Sequence, residues 1–80
     1  MNLSVYSIKK VLFQGQARLL NCKTLMGDIT VLDKHENFIG VLETGVMRIV
    51  DTAEVEHFFD IKSGFFEVSQ NNKVRCLIAQ

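Results

Sequence analysis

The chain reads as a succession of short runs in which apolar and polar side chains alternate, and no 3.6-residue period is sustained. Leu3 and Val5 alternate with Asn2 and Ser4; after Gly15, Ala17 and Leu19 alternate with Gln16 and Arg18. Leu20 breaks that phase, and Leu20 and Cys22 carry the apolar set onward with Asn21 and Lys23 opposite. One inserted residue that switches the facing is what a β-bulge produces. Ile29 and Val31 flank Thr30, and Val46 to Val50 form a nearly continuous apolar strand broken only by Arg48. Val55, His57, Phe59 and Ile61 share one face of a further strand whose other face carries Glu56, Asp60 and Lys62. Gly64 separates that strand from Phe65-Phe66-Glu67-Val68, and Val74, Cys76 and Ile78 close the pattern. Asn71-Asn72 reads as a tight turn, because Asn tolerates positive φ. The runs predict about eight to ten short strands at about eight-residue spacing, hence an all-β fold, a two-sheet β-sandwich or a barrel.

Residue usage supports strands: there are nine Val, six Ile and four Thr but only three Ala. β-branched side chains are stiff at χ1 and fit a pleated surface, whereas Ala is the strongest helix former. Eighty residues make one domain, here 1–80, with one modest core, and a 48% hydrophobic composition argues against disorder. Proline is absent, so edge strands need charge for protection, and Lys9-Lys10 and Lys62 are candidates.

Charge narrows the partner classes. Nine basic and nine acidic residues cancel, which removes the field that draws a protein to phosphate backbones and makes nucleic acid a poor partner. No apolar run approaches the roughly 20 residues of a membrane helix, and the first residues lack the basic and apolar regions of a signal peptide. A cytoplasmic protein is the expectation. Cys22 and Cys76 stand apart in strand-like stretches and read as buried free thiols.

Catalytic and metal chemistry find little footing. His35 beside Glu36 lies in the polar loop Asp33–Asn37, without a nucleophile to serve. His57 alternates with Phe59 and Ile61 and reads as a partly buried, hydrogen-bonded core histidine. The two His and two Cys lack zinc spacing, the five glycines form no phosphate loop, and no cofactor is implied. Phe13, Phe59 and Phe66 are placed in the core. Phe58 and Phe65 have the opposite parity; core packing is expected for them too, with a surface contact patch as the alternative.

Four stretches then resemble one family in order and spacing. Gly27 to Ile49 is similar, without a gap, to the ATP synthase epsilon-subunit pattern G-E-x-G-I-L-P-G-H-A-P-L-L-T-x-L-x-P-G-x-x-R-I, with Gly27, Leu32, His35, Leu42, Gly45, Arg48 and Ile49 on family positions. Ile61 to Val68 resembles V-S-G-G-F-x-E-V; Asn72-Lys73-Val74 with Leu77-Ile78-Ala79 resembles N-x-V-x-x-L-A; Lys10 to Gly15 resembles K-x-L-F-x-G. The departures are concentrated in one loop. P-G-H-A-P becomes Asp33-Lys34-His35-Glu36-Asn37, Thr44 replaces a proline and Ser63 a glycine. Without its prolines the loop is expected to be less pre-organised.

The resemblance implies a sandwich of two roughly five-stranded sheets in the central stalk of an F-type ATP synthase. It would contact the gamma subunit and the c-ring, and help couple ion-driven rotation to ATP synthesis without catalysing a reaction itself. It would sit peripherally at the cytoplasmic face of the inner or plasma membrane. Carried over by position, Asp28 matches an acidic residue facing the c-ring loops, and His35, next to Glu36, matches a histidine near gamma. Gly40 takes the place of a Thr or Ser near gamma. The family normally continues into a C-terminal helical hairpin that can inhibit ATP hydrolysis, and the resemblance implies its absence from residues 1–80. The alternative reading is a stand-alone β-sandwich module binding a small ligand or a peptide. A rotor subunit should carry a flat patch of Asp28, loop 33–37 and the strand near Gly40; a ligand-binding module should carry a concave apolar site.

Overall fold

The computed structural model describes residues 1–80. Eight strands follow one another: β1 (Asn2–Tyr6), β2 (Val11–Thr24), β3 (Gly27–Leu32), β4 (Phe38–Leu42), β5 (Gly45–Asp51), β6 (Glu56–Ile61), β7 (Ser63–Ser69) and β8 (Lys73–Ala79). A single 3-10 turn, Gln70–Asn72, joins β7 to β8. All pairings are antiparallel except β1 with β8.

The long strand β2 makes two layers from one hydrogen-bonded network. Its first half pairs with β1, Gln16 opposite Asn2, and its second half pairs with β3 and β5, Leu20 lying opposite both Val31 and Ile49. One layer therefore runs β4-β7-β8-β1-β2 and the other β3-β2-β5-β6. The crossover coincides with the expected bulge: β2 advances from Ala17 to Leu19 while β5 moves only from Asp51 to Val50, which leaves Arg18 as the extra residue. Gly15, at φ 152°, provides the backbone freedom just before it.

Period-2 alternation fills the interior from both layers. Leu3, Val5, Phe66, Val74 and Cys76 come from one sheet, and Leu20, Cys22, Val31, Met47 and Ile49 from the other, each at most 2% exposed. Phe13 and Phe59 pack against this core as partly buried residues, and Phe66 is wholly inside it. Phe58 and Phe65 are not in the core: they are 58% and 52% exposed, on the outer faces of β6 and β7. Strand parity overrides their hydrophobicity, since Phe58 pairs with Arg48 and Phe65 with Leu77, both outward-facing. Lys9 and Lys10 also miss their expected place, lying in the β1–β2 turn rather than on the free edges formed by β3 and β6.

His57 sits on the inner side of β6, as its spacing predicts. Its Nε2 is 2.9 Å from Asp51 Oδ2, and its ring meets Phe13 edge-on at 5.1 Å. The other Asp51 oxygen accepts from the backbone N–H of Ala53 (2.8 Å) and Val55 (3.0 Å), so one carboxylate closes the β5–β6 turn and satisfies the histidine. The pair to His57, followed by those backbone bonds, holds the Asp51 carboxyl below its ordinary range.

Candidate partner interface

The residues singled out by sequence lie on β3, on β4 and in the loop that joins them. Asp28 is exposed near the start of β3, in register with Lys23 on β2. His35 and Glu36 are exposed in the loop beyond the other end of β3, so about 16 Å of extended chain separates Asp28 from that loop. They do not converge on a point. Strand β4 runs between the two ends, with Val41 beside the β2–β3 hairpin, where its carbonyl accepts from Leu25 N–H at 3.1 Å. Gly40, in the middle of β4, is buried and offers no side chain to a partner; its outward neighbours Ile39 and Val41 are 71% and 52% exposed.

His35 and Gly40 are nonetheless linked. The His35 ring meets Phe38 edge-on at 6.5 Å, Phe38 packs on Phe66 at 5.5 Å, and the Phe66 ring fills the space beside the Gly40 Cα. His35 Nδ1 lies 2.9 Å from the Glu36 carbonyl oxygen; a carbonyl only accepts, so the proton of a neutral ring belongs on Nδ1.

The loop is ordered by contacts that its composition does not advertise. His35 N–H donates to Leu32 O at 3.2 Å, closing a turn in which Lys34 holds φ 60°, left-handed backbone that side chains other than Gly, Asn and Asp adopt reluctantly. Asn72, from the β7–β8 turn, accepts from Lys34 N–H at 2.7 Å and donates to Asp33 Oδ1 at 3.1 Å. Asp33 also takes a hydrogen bond from the Met1 ammonium; that contact first, and Asn72 second, keep its carboxyl below the ordinary range. In the sequence Asn72 shows itself as a turn former and a motif position, and nothing there links it to the 33–37 loop.

The largest feature missed by sequence is a row of apolar residues across the outer face of one sheet. Val41 pairs with Phe65, Phe65 with Leu77, Leu77 with Tyr6 and Tyr6 with Val11. Five adjacent strands thus place five apolar or aromatic side chains side by side over about 19 Å. Val41, Phe65 and Val11 are more than half exposed. A hollow of about 260 Å³ beside Tyr6, Phe65 and Leu77 indents this face, and one of about 230 Å³ lies at the β4 edge between Leu25, Met26, Phe38 and Val41. The outer face of the opposite sheet is mixed: Arg48 meets Glu56 at 3.4 Å and Asn21 meets Thr30 at 3.0 Å, while Phe58 and Val46 stand exposed among polar neighbours. The off-parity Phe65 was the one sign of the row in the sequence; the rest requires knowing which strands are neighbours.

No three His, Cys, Asp or Glu side chains gather where a metal ion could be held. Cys22 and Cys76 are buried free thiols. Burial, and secondarily the charge of Asp28, pushes the Cys22 thiol up to about 12, and burial raises Cys76 as well. No helix is long and apolar enough to cross a membrane.

The fold and this surface define a small all-β module of zero net charge, a two-layer sandwich with a continuous apolar row on one outer face. The comparisons narrow the class. Residues 1–79 match the ATP synthase delta/epsilon chain β-sandwich domain, and the chain belongs to that family. It is 32% identical over 71 residues to an ATP synthase epsilon chain of Corynebacterium efficiens, covering 88% of this chain and 57% of that one. It is 31% identical over 72 residues to one from Chlorobaculum tepidum, covering 90% and 82%. The first-ranked relatives are longer, and the chain spans about half their length. In structure it resembles a chain of the Euglena gracilis mitochondrial ATP synthase solved with OSCP, F1 and the c-ring (TM-score 0.92, 17% identity, 100% of this chain and 51% of that one). It also resembles a chain of the Tetrahymena thermophila mitochondrial ATP synthase central stalk and c-ring (TM-score 0.86, 19% identity, 100% and 63%). At those identities the likeness establishes the sandwich fold.

Proposed function

We propose that the chain is a non-catalytic rotor subunit of an F-type ATP synthase, binding the gamma subunit and the c-ring and transmitting rotation between them. The observation that carries the reading, given the family, is the apolar row Val41–Phe65–Leu77–Tyr6–Val11. An apolar band about 19 Å long, only shallowly indented and bordered by a self-neutralised ion pair (Glu67–Arg75, 2.7 Å), suits a folded protein partner better than a small molecule. In this reading gamma lies along that row and the loop carrying His35 and Glu36, and Asp28 meets the polar loops of the c-ring as a rim charge that fixes register. The subunit then sits peripherally at the cytoplasmic face of the membrane, held by its complex.

The test is capture from solubilised membranes of the native host with the tagged chain. Co-purification of gamma and the c-ring is expected, and a stable assembly containing neither overturns the proposal. Substituting Asp28 by Lys should weaken capture of the c-ring while leaving gamma bound.

A further inference from the structure

We propose that Asn72 is a positioning residue for the 33–37 loop: from a turn 38 residues away from Lys34, its carboxamide fixes the backbone that presents His35 and Glu36 to a partner. The inference rests on reading that loop as a contact surface.

The donors and acceptors allow only one arrangement. A backbone N–H can only donate and an ionised carboxylate can only accept. Asn72 Oδ1 therefore takes the Lys34 N–H (2.7 Å) while its Nδ2 gives to Asp33 Oδ1 (3.1 Å). An amide supplies both functions on one rigid plane, and neither a carboxylate nor an aliphatic side chain of similar size does. The clamp acts at Lys34, where φ is 60° and relaxation is otherwise favoured. Beyond the turn bond from His35 to Leu32 O, residues 35–37 belong to no strand. The far end of the loop is held by the edge contact of His35 with Phe38. Asn72 thus anchors the entry to the loop and Phe38 the exit.

Asn72 has a second, separable duty. Asn71 and Asn72 hold φ 65° and 59°, the left-handed backbone that Asn and Gly tolerate. Asn72→Gly keeps that turn and deletes both side-chain bonds. Asn72→Asp keeps an acceptor for Lys34 but sets a second carboxylate against Asp33.

The experiment measures amide-exchange protection factors on the full chain, together with affinity for purified gamma subunit. In Asn72→Gly, protection at Lys34 and His35 should fall roughly tenfold, as expected for losing two hydrogen bonds, while Met47 and Ile49 in β5 stay unchanged. In Asn72→Asp the loop should open at pH 7 and regain protection at acid pH, when the facing carboxylates share a proton. Affinity for gamma should drop several-fold in Asn72→Gly, and combining it with His35→Ala and Glu36→Ala should cost no more than those two alone. Unchanged protection at Lys34 and His35 in both variants overturns the clamp. An opened loop with undiminished affinity, in Asn72→Gly and in the His35→Ala/Glu36→Ala variant alike, overturns the loop as a contact surface and leaves the clamp itself standing.

Discussion

Gly40 and the ring of Phe66 share one space: a Cβ built on residue 40 would lie 2.3 Å from Phe66 Cε1 and 2.8 Å from Cζ. Phe66 is wholly buried and packed between the two sheets, so its ring has little room to retreat. Gly40→Ala should destabilise the domain by about 1–3 kcal/mol, and Gly40→Thr by more. Phe66→Leu should recover part of that loss, and a double-mutant cycle in urea would read the coupling. Strict additivity would show that the two side chains do not compete.

Lys34 holds φ 60° in a turn where glycine carries no steric penalty. Lys34→Gly should stabilise the domain by about 0.5–1 kcal/mol, the relief of left-handed strain outweighing the added freedom of the unfolded chain. Urea midpoints at constant m-value would measure it. A loss of stability would mean that the Lys34 side chain matters more than its backbone.

Phe65 and Phe58 are both more than half exposed but lie on opposite sheets, one within the apolar row and the other beside Arg48. Each truncation to Ala should change stability by no more than about 1 kcal/mol. Phe65→Ala should weaken gamma binding about tenfold or more, whereas Phe58→Ala should leave it nearly intact. Equal effects would deny the row its role.

The Asp51 carboxyl, held below its ordinary value of 3.8 by His57 and two backbone N–H groups, favours the folded state only when ionised. Its contribution is complete above that ordinary value and is lost as pH falls through the lower folded value. The stability gap between the parent chain and Asp51→Asn should therefore close progressively as pH falls below about pH 4. Denaturant titrations at a series of pH values would trace it; a gap that persists or widens below about pH 4 would contradict the assignment.

Cys22 and Cys76 are each at most 2% exposed, and burial disfavours both thiolates. An aromatic disulfide reagent at pH 8 should label neither in the native chain, and labelling under mild denaturant should follow global unfolding. Rapid native labelling of either would reveal local opening of β2 or β8.

Much of this molecule is decided by local pattern. Alternation fixes which side chains of β1, β6 and β8 point inward, because the strand period is two, and the phase break at Leu20 marks the bulge without reference to any neighbour. The ordered motifs from Gly27 to Ile49 and from Ile61 to Val68 were enough to identify the family. Other features depend on which strands become neighbours. The apolar row exists only because β4, β7, β8, β1 and β2 lie in that order, and Phe65 joins it by facing Leu77 instead of the core. The order of the 33–37 loop depends on Asn72, distant in sequence and brought alongside by the β7–β8 turn. Alternation is a property of single strands and can be read along the chain; strand adjacency and side-chain hydrogen bonds across loops are set by packing, and only the tertiary structure decides them.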